Sequence, residues 1–157
     1  MKRLAPILAA IALTAPACVP SEGCEPGDEE PTLDLGKGVT EYLTMAAEGG
    51  GLEVIHGPQG GYHVEVGFEA TYLDASEDWT IQLTGTAGDA SASSTPFVTM
   101  RCNAQTGTLQ SWGHLLIWDA EGADLDGRTA DISAVATDAA GTGVSGEVSV
   151  ELFYPES

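Results

Sequence analysis

Tyr62-His63-Val64-Glu65-Val66-Gly67-Phe68-Glu69-Ala70-Thr71-Tyr72 alternates without interruption. Tyr62, Val64, Val66, Phe68, Ala70 and Tyr72 take every second position, and His63, Glu65, Gly67, Glu69 and Thr71 take the others. Successive side chains of a strand point to opposite faces, so this segment predicts a strand with one face on a core and one toward water. A helical period of 3.6 would scatter its acidic residues across both faces.

The same period recurs outward from this strand. Val148, Val150, Leu152 and Tyr154 oppose Glu147, Ser149 and Glu151 near the C-terminus. Trp79 to Leu83, Phe97 to Cys102, His114 to Trp118 and Ile132 to Thr137 lie between, each bounded by turn residues. Thr32 to Leu35, Tyr42 to Ala46 and Leu52 to His56 precede it. No stretch combines helical periodicity with helix caps. Roughly eight or nine strands at this spacing predict an all-β domain over residues 32–157, an antiparallel sandwich of the immunoglobulin or fibronectin-III sort. An up-and-down barrel is the architectural alternative. Alternation assigns Trp79 and Trp118 to the core. It leaves Trp112, between Ser111 and Gly113, as the one tryptophan placed for an exposed, sugar-binding face.

The N-terminus carries an address. Lys2 and Arg3 precede an apolar run from Leu4 to Ala17, too short to cross a bilayer and proportioned as a signal peptide over residues 1–17. It ends Ala15-Pro16-Ala17-Cys18, which resembles a bacterial lipobox, with Ala15 where that signal usually carries Leu. The resemblance implies cleavage before Cys18 and lipidation of its thiol. Val19, rather than Asp, after that Cys resembles outer-membrane sorting signals. Ordinary cleavage after Ala17 with plain secretion is the alternative. Residues 18–31, rich in Pro, Gly and acids, predict a solvated tether. Export places Cys24 and Cys102 in an oxidising compartment, where the two can form one disulfide that pins the tether to the domain.

Gly57-Pro58-Gln59-Gly60-Gly61-Tyr62-His63 is the most idiosyncratic stretch. It resembles a group of uncharacterised exported lipoproteins of myxobacteria and related bacteria, which share a Gly-Pro-Gln-Gly-Gly-aromatic-His run after a short hydrophobic strand. That resemblance implies an immunoglobulin-like sandwich at a cell envelope and no assigned activity.

With 24 acidic against 5 basic residues, the chain has a net charge of −19, and loss of Lys2 and Arg3 with the signal takes it to −21. Such a surface cannot neutralise nucleic-acid phosphates. Cationic surfaces or partners in the envelope are compatible with it. No nucleophile elbow, phosphate loop or His-Glu-x-x-His is present, and Ser145 lacks the elbow context, so a non-enzymatic role without a cofactor is expected. The expected membrane contact runs through the lipid.

Candidate binding residues are Gln59 at the turn tip and His63, Glu65 and Glu69 on the wet strand face. A metal-binding alternative uses His56 and His63, with Met45, Met100 and His114 in reserve, for copper. A calcium version uses Asp119, Glu121, Asp124 and Asp126. Register weighs against the histidine pair. Pairing His56 with Tyr62 keeps Val54 and Val64 on one face and sends the two histidines to opposite faces.

Overall fold

The computed structural model describes residues 24–46 and 49–155. The expected signal peptide and the lipidation site at Cys18 lie outside the described residues. Twelve strands form a mixed, two-layered sheet that does not close into a barrel. The expected all-β, sandwich-like architecture is therefore present.

The first layer is built on β5 (Tyr62–Thr71). β1 (Thr32–Lys37) lies along one edge of β5, with β2 (Leu43–Thr44) outside it. β10 (Thr108–Trp118) lies along the other edge, flanked by β9 (Arg101–Asn103). The second layer is built on β6 (Trp79–Ala87) and β11 (Thr129–Thr137). β7 (Ala90–Ser94) lies beyond β6, and β12 (Gly143–Phe153) lies beyond β11. The layers meet at one corner, where Trp118 of β10 pairs with Ala92 of β7.

Two short segments cross between layers, and both were expected to be single strands. Leu52 to His56 splits into β3 (Leu52–Glu53), which joins β12, and β4 (Ile55–His56), which joins β5. Phe97 to Cys102 splits into β8 (Phe97–Val98) on β6, and β9 on β10. These splits raise the strand count above eight or nine. The β3–β12 pair is parallel, which corrects the expectation of a purely antiparallel sheet. The register predicted at the first crossing holds, with His56 opposite Tyr62.

Alternation built the core as the chemistry requires. Val64, Val66, Phe68 and Ala70 of β5 face Trp79, Ile81 and Leu83 of β6 and Ala130, Ile132, Ala134 and Ala136 of β11 across the interior, all buried. Trp118 is buried too. One acid belongs to this framework. Asp138 is buried, and its two oxygens accept the backbone N–H groups of Asp74 and Thr142 at 2.9 and 2.6 Å. It thereby ties the β5–β6 connection to the β11–β12 hairpin. Asp138→Ala leaves both donors without their acceptor and should cost about 1–3 kcal/mol, with Asp138→Asn retaining part of it. Thermal melts of the two variants check this.

Candidate functional site

The outer face of the first layer carries a row of polar residues set by register. Asp34 of β1 opposes Glu69 of β5, Glu69 opposes Gln110 of β10, and Gln110 opposes Arg101 of β9. Glu69 Oε2 accepts hydrogen bonds from Gln110 Nε2 and from the Thr108 hydroxyl at 2.8 Å. Gln110 is itself buried and accepts from Asn103 Nδ2 at 3.0 Å. Asn103 Oδ1 in turn accepts the Gln105 N–H, which shapes the β9–β10 turn. Among the described residues, no group bonds Glu69 Oε1.

The next row is made of glycines. Gly36 opposes Gly67, and the ring of Tyr42 lies over both. A Cβ on Gly36 would sit 2.4 Å from that ring and 2.3 Å from the Leu43 carbonyl oxygen, so only glycine admits this approach. Tyr42 is consequently held against the sheet. Its phenol is pushed up to about 12, by burial first and then by the carboxylates of Glu69 and Asp34. It stays protonated throughout the physiological range.

β10 departs from regular pairing beside Gly67. Ser111 opposes Phe68 and His114 opposes Val66, so Trp112 and Gly113 together face a single residue. This is a β-bulge, with Gly113 at φ +75°. The bulge lets Gln110 and Trp112 face outward while Ser111 and His114 both turn inward. The guanidinium of Arg101 lies 5.8 Å from the Trp112 ring centre, in cation–π range.

These features bound an open groove of about 880 Å³. Tyr42 and β2 form one wall, Trp112 and Arg101 another, and the Asn103–Thr106 turn closes one end. Glu69 and Gln110 lie on its floor. Cys102 borders the same groove, and its Cα lies 5.5 Å from that of Cys24, to which it is disulfide-bonded. The expected tether is therefore fixed to the domain at Cys24, a buried residue, as the pairing of the two cysteines implies.

The sequence candidates scatter. Gln59 is exposed at the Gly57–Gly61 turn, far along β5 from Glu69. His63 and Glu65 are half-buried rather than on a fully wet face, because Ile117 and Leu115 of β10 lie opposite them. Glu69 alone of the four enters the groove. Tyr42, Arg101, Asn103 and Gln110 escaped sequence reasoning. The opposed glycines of two adjacent strands are the signal that could have found Tyr42.

The metal candidates do not converge. Among the described residues, no three His, Cys, Asp or Glu side chains are arranged to hold an ion. His56 is exposed against the Tyr62 ring, while Met100 is buried. His114 lies on the opposite side of the sheet from His63. The acidic loop is engaged locally. Asp119 bonds the Ser91 hydroxyl and N–H at 2.6 Å each, which holds its carboxyl below the usual range. Asp126 accepts the Tyr154 N–H at 2.8 Å, and the Glu121 carboxylate raises the pKa of the Tyr62 phenol. Leu125, within the same stretch, is buried in a four-residue helix, Gly122–Leu125.

Among the described residues, one Ser–His hydrogen bond is present. Ser111 Oγ and His114 Nε2 are 2.8 Å apart on the inner side of β10, with the imidazole against Phe68. Among the described residues no acid orients that imidazole, the third element of an activated nucleophile. Burial lowers the His114 pKa, so the folded state resists its protonation. The unfolded chain then binds more protons in the window between the two pKa values. Stability contributed by neutral His114 is complete above about pH 6.5 and is lost as pH falls toward the folded value. The stability difference between wild type and His114→Gln should therefore shrink from pH 7.5 to 5.5, as urea midpoints at the two pH values will measure.

No family model matches the chain, and no curated protein shows significant similarity to it.

Proposed function

We propose that this chain is an exported, lipid-anchored domain of the cell envelope that binds a ligand without catalysis, and that the ligand lies in the groove of Tyr42, Glu69, Gln110 and Trp112. The observation that carries this reading is the bulge at Trp112–Gly113. Bulges re-aim side chains beside functional sites, and this one adds an aromatic wall to a polar floor already fixed by hydrogen bonds. Pockets that bind ligands combine such aromatic lining with a few oriented polar groups. Export is supported by the signal-like run before Cys18 and by the Cys24–Cys102 bond, which suits an oxidising compartment. An outer-membrane anchor at Cys18 would bring the domain close to the bilayer, since only five residues separate Cys18 from the pinned Cys24.

Co-sedimentation with envelope fragments from the producing bacterium tests this. The full chain should be retained, and Trp112→Ala should lose most of that retention. Glu65→Gln, outside the groove, should behave as wild type. Equal retention of Trp112→Ala and wild type would place the contact elsewhere.

A further inference from the structure

We infer that the groove takes a neutral oligosaccharide, with a sugar ring stacked on Trp112 and its hydroxyls bonded to Glu69 and Asn103; this rests on the groove being the binding site. The argument proceeds by what each ligand class would meet there. An apolar ligand would cover Glu69 Oε1 and the second Asn103 N–H without bonding them, and desolvating polar groups that gain no partner is unfavourable. An anionic ligand would approach a chain of net charge −19. Asp34, Glu69 and Glu41 lie in or beside this groove, and Arg101 is the one cation among its described lining residues. A peptide binding by strand addition needs a free strand edge. This groove lies on a sheet face, with β2 along the edge of β1 and β9 along that of β10.

A neutral sugar fits each feature. Its ring presents a flat face of C–H groups to an aromatic plane, and its edge presents hydroxyls that both donate and accept. Trp112 is half-exposed and supplies the plane. The floor supplies planar acceptors and donors held in fixed orientations. Glu69 is steadied through Oε2 and has Oε1 left to accept. Asn103 has used one of its two N–H groups, on Gln110. The Tyr42 phenol, protonated at every physiological pH, can donate or accept at the opposite wall. A volume of about 880 Å³ accommodates more than one ring, so an oligomer rather than a monosaccharide is the expected occupant.

The test uses the full chain in a non-glycosidic detergent and saturation-transfer NMR, followed by titration calorimetry. The probes are cellotetraose, chitotetraose, maltotetraose and mannotetraose, with tetragalacturonate and hexalysine as charged comparators. At least one neutral tetrasaccharide should bind. Trp112→Ala should weaken it roughly tenfold or more, as removal of a central aromatic anchor does. Trp112→Phe should restore most of the affinity and Glu69→Gln should lower it, while Glu65→Gln leaves it unchanged. The inference is overturned if none of the four binds, or if binding survives Trp112→Ala. Charged comparators bound in preference to all four would also overturn it. Loss of envelope retention in Trp112→Ala without sugar binding would leave the groove standing and remove the saccharide. Unchanged retention would remove both.

Discussion

Reduction of the Cys24–Cys102 bond should lower the stability of the domain by about 4.5 kcal/mol. The two cysteines are 78 residues apart in sequence, and closing a loop of that length removes this much entropy from the unfolded chain. A domain of this size has only about 5–15 kcal/mol in total, so the loss corresponds to a melting point lower by roughly 15 °C. A thermal melt with and without dithiothreitol, and of the Cys24→Ser, Cys102→Ser double variant, measures it. Coincident melts would show that the bond does not restrain the unfolded state as described. The effect reaches the groove as well. Cys102 lies in β9 between Arg101 and Asn103, and β9 is only three residues long. Freed of its covalent partner, it should hold those two side chains less firmly, and ligand retention should fall along with stability.

Gly146→Ala should be comparably severe, at about 3 kcal/mol. A Cβ on Gly146 would come within 2.1 Å of the Leu33 carbonyl oxygen and 2.8 Å of the Leu35 side chain. The obstacle is backbone, so β1 and β12 themselves must separate. Packed sheets ordinarily stand about 10 Å apart, and here the layers pinch until a strand backbone touches its neighbour. Overpacking of a rigid contact costs about 1–3 kcal/mol and sometimes more. Gly143→Ala, with open space at its Cβ, is the matched control on the same strand. Urea denaturation should separate the two variants widely; equal midpoints would mean that β1 does not rest on β12.

The strands were legible wherever apolar and polar residues contrast. β6 and β11 alternate cleanly, and their inward residues are the buried ones; β5 alternates too, except that Gly67 is buried beneath Tyr42 and Tyr62 is half-buried. β7 went unread because Ala90-Ser-Ala-Ser-Ser94 has almost no hydrophobic contrast, although Ala92 is buried against Trp118. The crossings at Val54 and at Thr99–Met100 could not be read either. A strand that changes layers keeps its apolar period, and only its distant partners, β12 and β10, reveal the change.

The groove was less legible than the fold, for a related reason. Trp112 stood out as the tryptophan left exposed, and Glu69 as an acid on the outer face. Their convergence with Tyr42, Gln110 and Asn103 depends on cross-strand register and on a one-residue bulge, neither of which leaves a periodic trace. Asp119, Glu121, Asp124 and Asp126 show the converse. They are neighbours in sequence, but Asp119 bonds Ser91 and Asp126 bonds the Tyr154 N–H. The negative charge is spread along residues 25–31, turns and outer faces rather than gathered at one site.

Hydrogen–deuterium exchange on the full chain, with and without cell-envelope fragments of the source organism, tests the central claim most directly. Binding in the groove predicts new protection confined to residues 41–44 and 101–112, with none at 57–63 or 119–126. Protection centred on the Gly57–His63 turn or on the acidic loop, with the groove unchanged, would contradict it.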